Sequence, residues 1–294
     1  MWILLALISA LSSAGTSFSL KRAVAHGGPI VSTAAARMIA GFLLVTLMAA
    51  LGAWPTPSPA YWRALALVLV PELLGTLFLT LALRAGDLSL VQPLHGLLPP
   101  LVMLGGFVFL DEVPTPIAGA GVVLVTVGVY CIGLRPGGSV LEPLRALARE
   151  RASWYAIASA CAWSLATLVH KSGIAAVGPF PWGATLAFGS GLALTASLPF
   201  LAWKAPSHLE LPGRAAPWGG FVALAGLCFA SQQVGLHLAF RLAQTGYVMA
   251  ISSTGILFAT ALGVIFLRER DAASTRILGA LLVSAGAMLV GAFG

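Results

Sequence analysis

Ala82-Leu83-Arg84, followed by Phe109-Leu110-Asp111-Glu112, returns later in the chain as Ala239-Phe240-Arg241, followed by Phe266-Leu267-Arg268-Glu269. These two copies are offset by 157 residues. An earlier pair, Lys21 with Gly28-Pro29 and Lys171 with Gly178-Pro179, is offset by 150. The period is about half of the 294 residues, so the chain is a duplicated bundle and not an array of short repeats.

The composition places both copies in a membrane. Only 9% of the residues are charged, 59% are hydrophobic, and the mean hydropathy is +0.97, which leaves too little polar surface for a soluble protein of this size. The 16 basic residues fall mostly between apolar runs, where they suit anionic lipid headgroups better than nucleic acid. The three cysteines are widely separated, so we expect neither a metal nor a cofactor.

Ten apolar runs are long enough to cross a bilayer, which needs about 20 residues at 1.5 Å per residue. Because lipid offers the backbone no hydrogen-bond partners, these runs must be helices. The sequence therefore predicts an all-α polytopic membrane protein with ten transmembrane helices in two inverted five-helix repeats. Lys21 and Arg22 follow the first run instead of preceding it, which favours a retained first helix over a signal peptide. The predicted spans are 2–20, 30–52, 63–83, 88–109, 116–134, 153–172, 181–203, 217–240, 246–267 and 275–293.

The loops carry their basic residues unevenly. Twelve lie in the loops after spans one, three, five, seven and nine, and three lie on the opposite side. The excess predicts that the first set is cytoplasmic and that both termini are outside. We expect repeats at 1–134 and 153–294, joined by a linker at 135–152. That linker reads either as an amphipathic interfacial helix or as a solvated connector.

Four short passages carry a family resemblance. Ser17-Phe18-Ser19-Leu20-Lys21 and Leu168-Val169-His170-Lys171 end the first helix of each half, and Leu110-Asp111-Glu112-Val113-Pro114 and Leu267-Arg268-Glu269-Arg270 follow spans four and nine. With the span count and the duplication, they make the chain resemble the EamA-type branch of the drug/metabolite transporter superfamily. The resemblance implies a transporter of small metabolites, with export of an amino acid or a related compound as the leading expectation. The first helix lacks the glutamate that small multidrug members use, so their proton-exchange mechanism is not implied.

Three ionisable residues within spans are candidates for function. Glu72 lies near the middle of span three, where an unpaired charge costs at least about 2.5–3.5 kcal/mol, so it needs a partner, water or a proton. Arg37 and His95 lie at similar depth in spans two and four. Glu72 is a candidate for proton coupling, and Arg37 for pairing with Glu72 or for binding an anionic substrate group. For each of the three, a purely structural role remains open.

Spans four and nine carry polar residues at matching positions. Span four contains Gln92 and His95 among three prolines, which predict a kinked or locally unwound helix whose free carbonyls can bind a ligand. At the repeat offset, Ser252 and Ser253 of span nine align with His95 and the following glycine. Ser252 and Ser253 either form a second polar surface, matching the one in the first half, or serve only to pack helices together.

Other polar candidates lie in spans six and eight. Trp163 falls in the middle of span six, where a cavity-facing ring can stack on a substrate. Gln232 and Gln233 lie in span eight. By contrast, Trp182 lies near a span end, and we expect it in the aromatic belt at the membrane interface.

Taken together, the sequence predicts a transporter of a small polar substrate in the cell inner membrane, working by alternating access and possibly coupled to protons. An enzyme is not expected, because catalytic motifs such as His-Glu-x-x-His or Gly-x-Ser-x-Gly are missing. A membrane-embedded enzyme or a structural membrane subunit are the alternatives. The oligomeric state and the substrate itself are not determined by the sequence.

Overall fold

The described residues of the computed structural model, 1–85, 95–132, 134, 139, 141, 150–204, 217–259, 262 and 273–293, form ten α-helices and no β-strand. The fold class predicted from the sequence is confirmed. The predicted linker at 135–152 lies mostly outside the described residues. The helices are α1 (Trp2–Val24), α2 (Pro29–Ala50), α3 (Pro59–Ala85), α4 (Leu98–Phe109), α5 (Pro116–Ile132), α6 (Arg151–Val177), α7 (Pro179–Lys204), α8 (Trp218–Leu242), α9 (Thr245–Ser252) and α10 (Ala273–Phe293).

Membrane-crossing length and composition are clearest in five helices of the described chain. Helices α1, α2, α3, α6 and α8 are each apolar over at least 18 residues, while α4, α5, α9 and α10 contain shorter apolar stretches. A helix of 20 residues spans 30 Å, which is about the thickness of the hydrocarbon layer. The protein is therefore a multi-pass membrane protein.

The second helix of each half begins in the same way. Gly28 is extended and precedes Pro29 at the first turn of α2, and Gly178 precedes Pro179 at the first turn of α7. Proline suits the first helical turn because its missing N–H would have no helical partner there. Gly178 has φ +88°, in the left-handed region that favours glycine. The Gly-Pro repeat in the sequence therefore marks the same helix start in both halves.

Spans four and nine both contain a break at the same repeat position. In span four, a turn at Gly96 and Leu97 precedes α4, and in span nine a turn at Ser253 and Thr254 follows α9. Only span four has prolines, so proline is not the common cause. In span nine the N–H of Thr254 donates to the carbonyl of Ile251, three residues back, which keeps the backbone bonded through the turn.

The helices of the first half pack on helices of the second half in pairs that follow the sequence repeat. The contact of α3 with α6 has its counterpart in the contact of α8 with α1, while α2 packs on α7, α4 on α9 and α5 on α10. These pairings agree with the duplication in the sequence, because each one has its counterpart at the repeat offset. The two halves therefore meet along all of these pairs, and Arg37 and Glu72 lie on α2 and α3, which pack on α7 and α6 of the second half.

Candidate functional site

Arg37 and Glu72 form a buried ion pair. Arg37 is 5% exposed and Glu72 is 6% exposed, and Nη1 of Arg37 donates to Oε1 of Glu72 at 2.7 Å. A buried charge that lacks a partner is strongly destabilising, so each residue supplies what the other needs. The structure thus brings together the two charges that the sequence placed at similar depth, and it gives Glu72 the partner it requires.

The Arg37 guanidinium also reaches the second half of the chain. Nη1 donates to Oγ of Ser190 on α7 at 2.8 Å, and the guanidinium carbon lies 4.5 Å from the centre of the Phe229 ring on α8. Nη2 donates to Oγ1 of Thr76 on α3 at 2.6 Å. Arg37 is therefore surrounded by an anion, two hydroxyls and an aromatic face, drawn from both halves.

Helical spacing explains how the site is built. Glu72, Thr76 and Thr80 follow one another at four-residue intervals on α3, as Thr33 and Arg37 do on α2, so each set shares one helix face. Thr76 donates its hydroxyl hydrogen to the carbonyl of Glu72 at 2.8 Å, which leaves its oxygen to accept from Arg37. The oxygens of Thr33 and Thr80 approach to 3.5 Å and continue the polar stripe.

His95 and Trp163 form a second polar cluster beside the ion pair. Their rings meet edge to face, with centroids 5.3 Å apart, and His95 Nε2 lies 3.1 Å from Oγ of Ser159. Ser159 donates its only hydroxyl hydrogen to the carbonyl of Gly75 at 2.7 Å. His95 must therefore be the donor to Ser159, which leaves its Nδ1 as an acceptor.

Gly75 joins the two clusters through α3. It directly precedes Thr76, whose hydroxyl accepts a hydrogen bond from Arg37, and the Gly75 carbonyl accepts a hydrogen bond from Ser159. A Cβ at this position would overlap the Trp163 ring, so glycine is required for the indole to lie against the helix. The Trp163 Nε1 donor is buried without a hydrogen-bond partner. One helical turn of α3 thus links the ion pair to the His95–Trp163 cluster.

The remaining candidates from the sequence are more dispersed. Oγ of Ser252 is buried without a hydrogen-bond partner, whereas Ser253 donates to the Met249 carbonyl within its own helix at 2.9 Å. Gln233 is 5% exposed and lies one helical turn from Phe229, and Gln232 is half-buried. Gln92 lies outside the described residues.

A histidine pair in the second half was not among the predicted site residues. The His170 and His237 rings meet edge to face at 4.8 Å, and Nε1 of Trp182 donates to Nδ1 of His170 at 3.1 Å. His237 Nδ1 donates to the carbonyl of Gln233 at 2.7 Å, so its Nε2 is an acceptor, and this atom is buried without a partner. Trp182 is fully buried in this cluster, so the expectation that it faces the interface belt is wrong.

Ser190, Thr76 and Phe229 were also missed, although all three contact Arg37. Single hydroxyl and phenyl side chains are common in membrane helices, and nothing in one sequence distinguishes those that contact a charge. The four-residue spacing of Thr76 from Glu72 is the one signal that the sequence offered.

These observations define the class of protein, a helical, multi-pass membrane protein with a buried ion pair in its first half whose arginine also contacts the second half. A family model described as the EamA-like transporter family, which lies within the drug/metabolite transporter superfamily, matches residues 1–134, so the first half of the chain is similar to this family. The family resemblance drawn from the sequence is confirmed.

The second half is covered by a structural comparison. One solved structure, described only as the crystal structure of a protein, is 17% identical to this chain, with a TM-score of 0.78. The alignment covers 100% of this chain and 99% of the other, so the fold is shared along both halves. No curated protein matches the chain.

Proposed function

We propose that this protein is a secondary transporter that carries a small polar metabolite, of amino-acid type, across the cell inner membrane by alternating access. The proposed direction is export, with the proton gradient as the driving force. The family match over residues 1–134 supports a transporter, and the pairing of equivalent helices between the halves supports a substrate path at their junction.

The observation that carries the proposal is the position of Arg37. Within the first half it contacts Glu72 and Thr76, and across the junction it contacts Ser190 and Phe229. If the halves move relative to each other, the ion pair with Glu72 is retained while the contacts with Ser190 and Phe229 change. A guanidinium in that position is exposed to a ligand when the halves separate.

The chemistry of the same atoms favours a carboxylate-bearing substrate. Nη1 and Nη2 each donate to a neutral hydroxyl, and a carboxylate accepts stronger, charge-assisted bonds from a guanidinium and can bind both nitrogens at once. A substrate carboxylate would replace Ser190 and Thr76 at Arg37, and Glu72 would face a cationic group. An amino acid carries both charges, which is why we favour that class.

The test is counterflow in proteoliposomes loaded with a mixed pool of amino acids and other metabolites, scored by mass spectrometry. We expect one class of solute to be exchanged by the wild type. In Arg37→Lys, affinity should fall about tenfold or more, since a hydrogen bond to a charged group contributes about 1.5–3 kcal/mol. Arg63→Lys, at an exposed arginine, is the matched control. Exchange of no solute would contradict transport, and unchanged affinity in Arg37→Lys would contradict bidentate binding.

The coupling role of Glu72 is tested separately with Glu72→Gln under an imposed pH gradient. Glutamine keeps an oxygen for Arg37 but cannot exchange a proton. If Glu72 couples transport to protons, gradient-driven accumulation is lost while counterflow of labelled substrate at equal pH remains. Accumulation that is as large as in the wild type would leave the Arg37–Glu72 pair with a structural role only.

A further inference from the structure

A second ion pair joins the two halves near the helix ends. Oε1 of Glu112 lies 2.6 Å from Nζ of Lys171, and Oε2 of Glu112 accepts from the backbone N–H of Thr245 at 2.9 Å and from its hydroxyl at 2.5 Å. We refer to Glu112, Lys171 and Thr245 as the Glu112 latch. The carboxylate thereby accepts two hydrogen bonds from Thr245 and forms an ion pair with Lys171, which lies on a different helix.

The three residues come from connections at one face of the molecule. Glu112 lies in the turn between α4 and α5, Lys171 lies near the end of α6, and Thr245 begins α9. In a ten-span topology all three lie on the same side, which the basic residues predict to be the outside. Two further hydrogen bonds join the α4–α5 turn to the start of α9. Nε2 of Gln244 donates to the Val113 carbonyl at 3.2 Å, and the Thr115 N–H donates to Oη of Tyr247 at 2.8 Å.

The local backbone is shaped for this carboxylate. A Cβ on Gly106 would lie 2.7 Å from Oε2 of Glu112 and 3.2 Å from Oγ1 of Thr245, so a larger residue would displace both groups. Asp111 has φ +54°, a conformation that is uncommon outside glycine, and it directs the next residue back over the end of α4. The carboxylate also caps the start of α9, where backbone N–H groups have no helical partner.

We propose that the Glu112 latch is the gate that closes this face of the molecule during alternating access. This inference rests on the proposed transport function. The latch is suited to opening because Lys171 is 32% exposed at its side chain, so water can solvate the separated charges. The Arg37–Glu72 pair is buried and lacks that option. Opening this face separates the α4–α5 turn from α6 and α9, which breaks the ion pair and the four hydrogen bonds described above.

Thiol labelling tests the gate without any transport assay. Ser252→Cys places a buried reporter on α9, two helical turns from Thr245, and an impermeant maleimide is applied from outside to intact cells, or to inside-out vesicles if the orientation is reversed. Glu112→Gln and Lys171→Gln should each raise the labelling rate about tenfold. Arg63→Gln, at an exposed arginine near the start of α3 on the same face, should leave it unchanged. The reporter is introduced after replacement of the native cysteines by alanine, at Cys131, Cys161 and Cys228.

The double variant of the latch tests whether Glu112 and Lys171 act through their ion pair or independently of each other. Glu112→Gln and Lys171→Gln remove the same interaction, so the double variant should label no faster than the faster single variant. Independent effects would multiply to about a hundredfold. Unchanged labelling in both single variants, with thermal unfolding like that of the wild type, would overturn the gate. Lower thermal stability without faster labelling would also overturn the gate, because these contacts would then only stabilise the fold and would not control access.

Cross-linking tests whether the latch must open for transport. Glu112→Cys with Thr245→Cys places one thiol on each side of the latch, where the longer glutamate brings its carboxylate oxygen to 2.5 Å from the Thr245 hydroxyl, and each single cysteine variant is the control. Because cysteine is shorter than glutamate, a short bifunctional methanethiosulfonate reagent is used to join the thiols; it should abolish flux in the double variant, and reduction should restore it. Flux that survives complete cross-linking would overturn the gate. If no variant transports any solute, the proposed function fails, while the labelling result still decides whether the latch closes this face.

Discussion

Replacing Arg37 by methionine should destabilise the protein severely, and the reason lies in what Glu72 loses. Glu72 is 6% exposed, and its carboxylate accepts from the guanidinium 2.7 Å away. Removing one member of a buried ion pair costs about 3–5 kcal/mol, because the other charge is left without compensation. The Thr76 and Ser190 hydroxyls lose less, because each still donates to a carbonyl of its own helix.

Replacing both charges should recover most of that loss. In Arg37→Met with Glu72→Leu no buried charge remains, and apolar replacements of buried ion pairs are often neutral or stabilising by about 1–4 kcal/mol. The double variant should therefore be more stable than Arg37→Met alone by about 3 kcal/mol or more. That non-additivity is the energetic signature of a direct pair.

The assay is unfolding by sodium dodecyl sulfate in mixed micelles, followed by helix content, for the wild type, the two single variants and the double variant. Arg63→Met at an exposed position is the control and should change the free energy of unfolding by no more than about 0.5 kcal/mol. A loss below about 1 kcal/mol in Arg37→Met, or a double variant no more stable than the worse single one, would refute the reasoning. Counterflow is then measured on the double variant to separate a role in stability from a role in binding. If this variant folds but exchanges no substrate, the two charges are required for binding.

Two further substitutions test the packing around the site by the same unfolding assay. Gly75→Ala should cost about 1–3 kcal/mol because the new methyl group overlaps the Trp163 ring, whereas Gly219→Ala, with open space around its Cβ, should be neutral or stabilising by up to about 1 kcal/mol. Equal effects at the two glycines would contradict the close approach. His170→Leu should cost about 1–3 kcal/mol because Nε1 of the fully buried Trp182 loses its acceptor, and a stability like that of the wild type would show that this hydrogen bond contributes nothing.

Hydropathy located the helices well and their ends less well. Helix α2 at 29–50 matches the predicted 30–52, but α6 at 151–177 extends past the predicted 153–172 at both ends. A helix continues as long as its backbone bonds form, whether or not its residues are apolar, so hydropathy detects only the part inside the hydrocarbon. The break after Ser252 was not predicted. There, a Cβ on Gly255 would lie 2.6 Å from the carbonyl of Ala10 on α1, a crossing that depends on tertiary packing.

The site was predictable where an energetic rule forces a contact. Glu72 needed a partner inside the membrane, and Arg37 was the candidate at matching depth, so the ion pair follows from the cost of an isolated charge. No comparable rule selected Ser190 among the many hydroxyl residues. Glu112 and Lys171 were visible only as parts of short family motifs, because their contact joins different halves and no spacing within the chain relates them.

The two halves cannot both carry this ion pair, and the repeat itself shows why. At the offset of 157, Glu72 corresponds to Phe229, and both contact the same guanidinium. Arg37 therefore meets both copies of one repeat position. A second glutamate at Phe229 would leave two buried carboxylates sharing one cation, with an uncompensated charge that costs several kcal/mol. At the offset of 150, the counterpart of Arg37 is Ala187, so the second half supplies no second cation. A single cation that meets both copies of one position thus requires that the two copies differ, and an aromatic face is a neutral partner that still attracts the guanidinium.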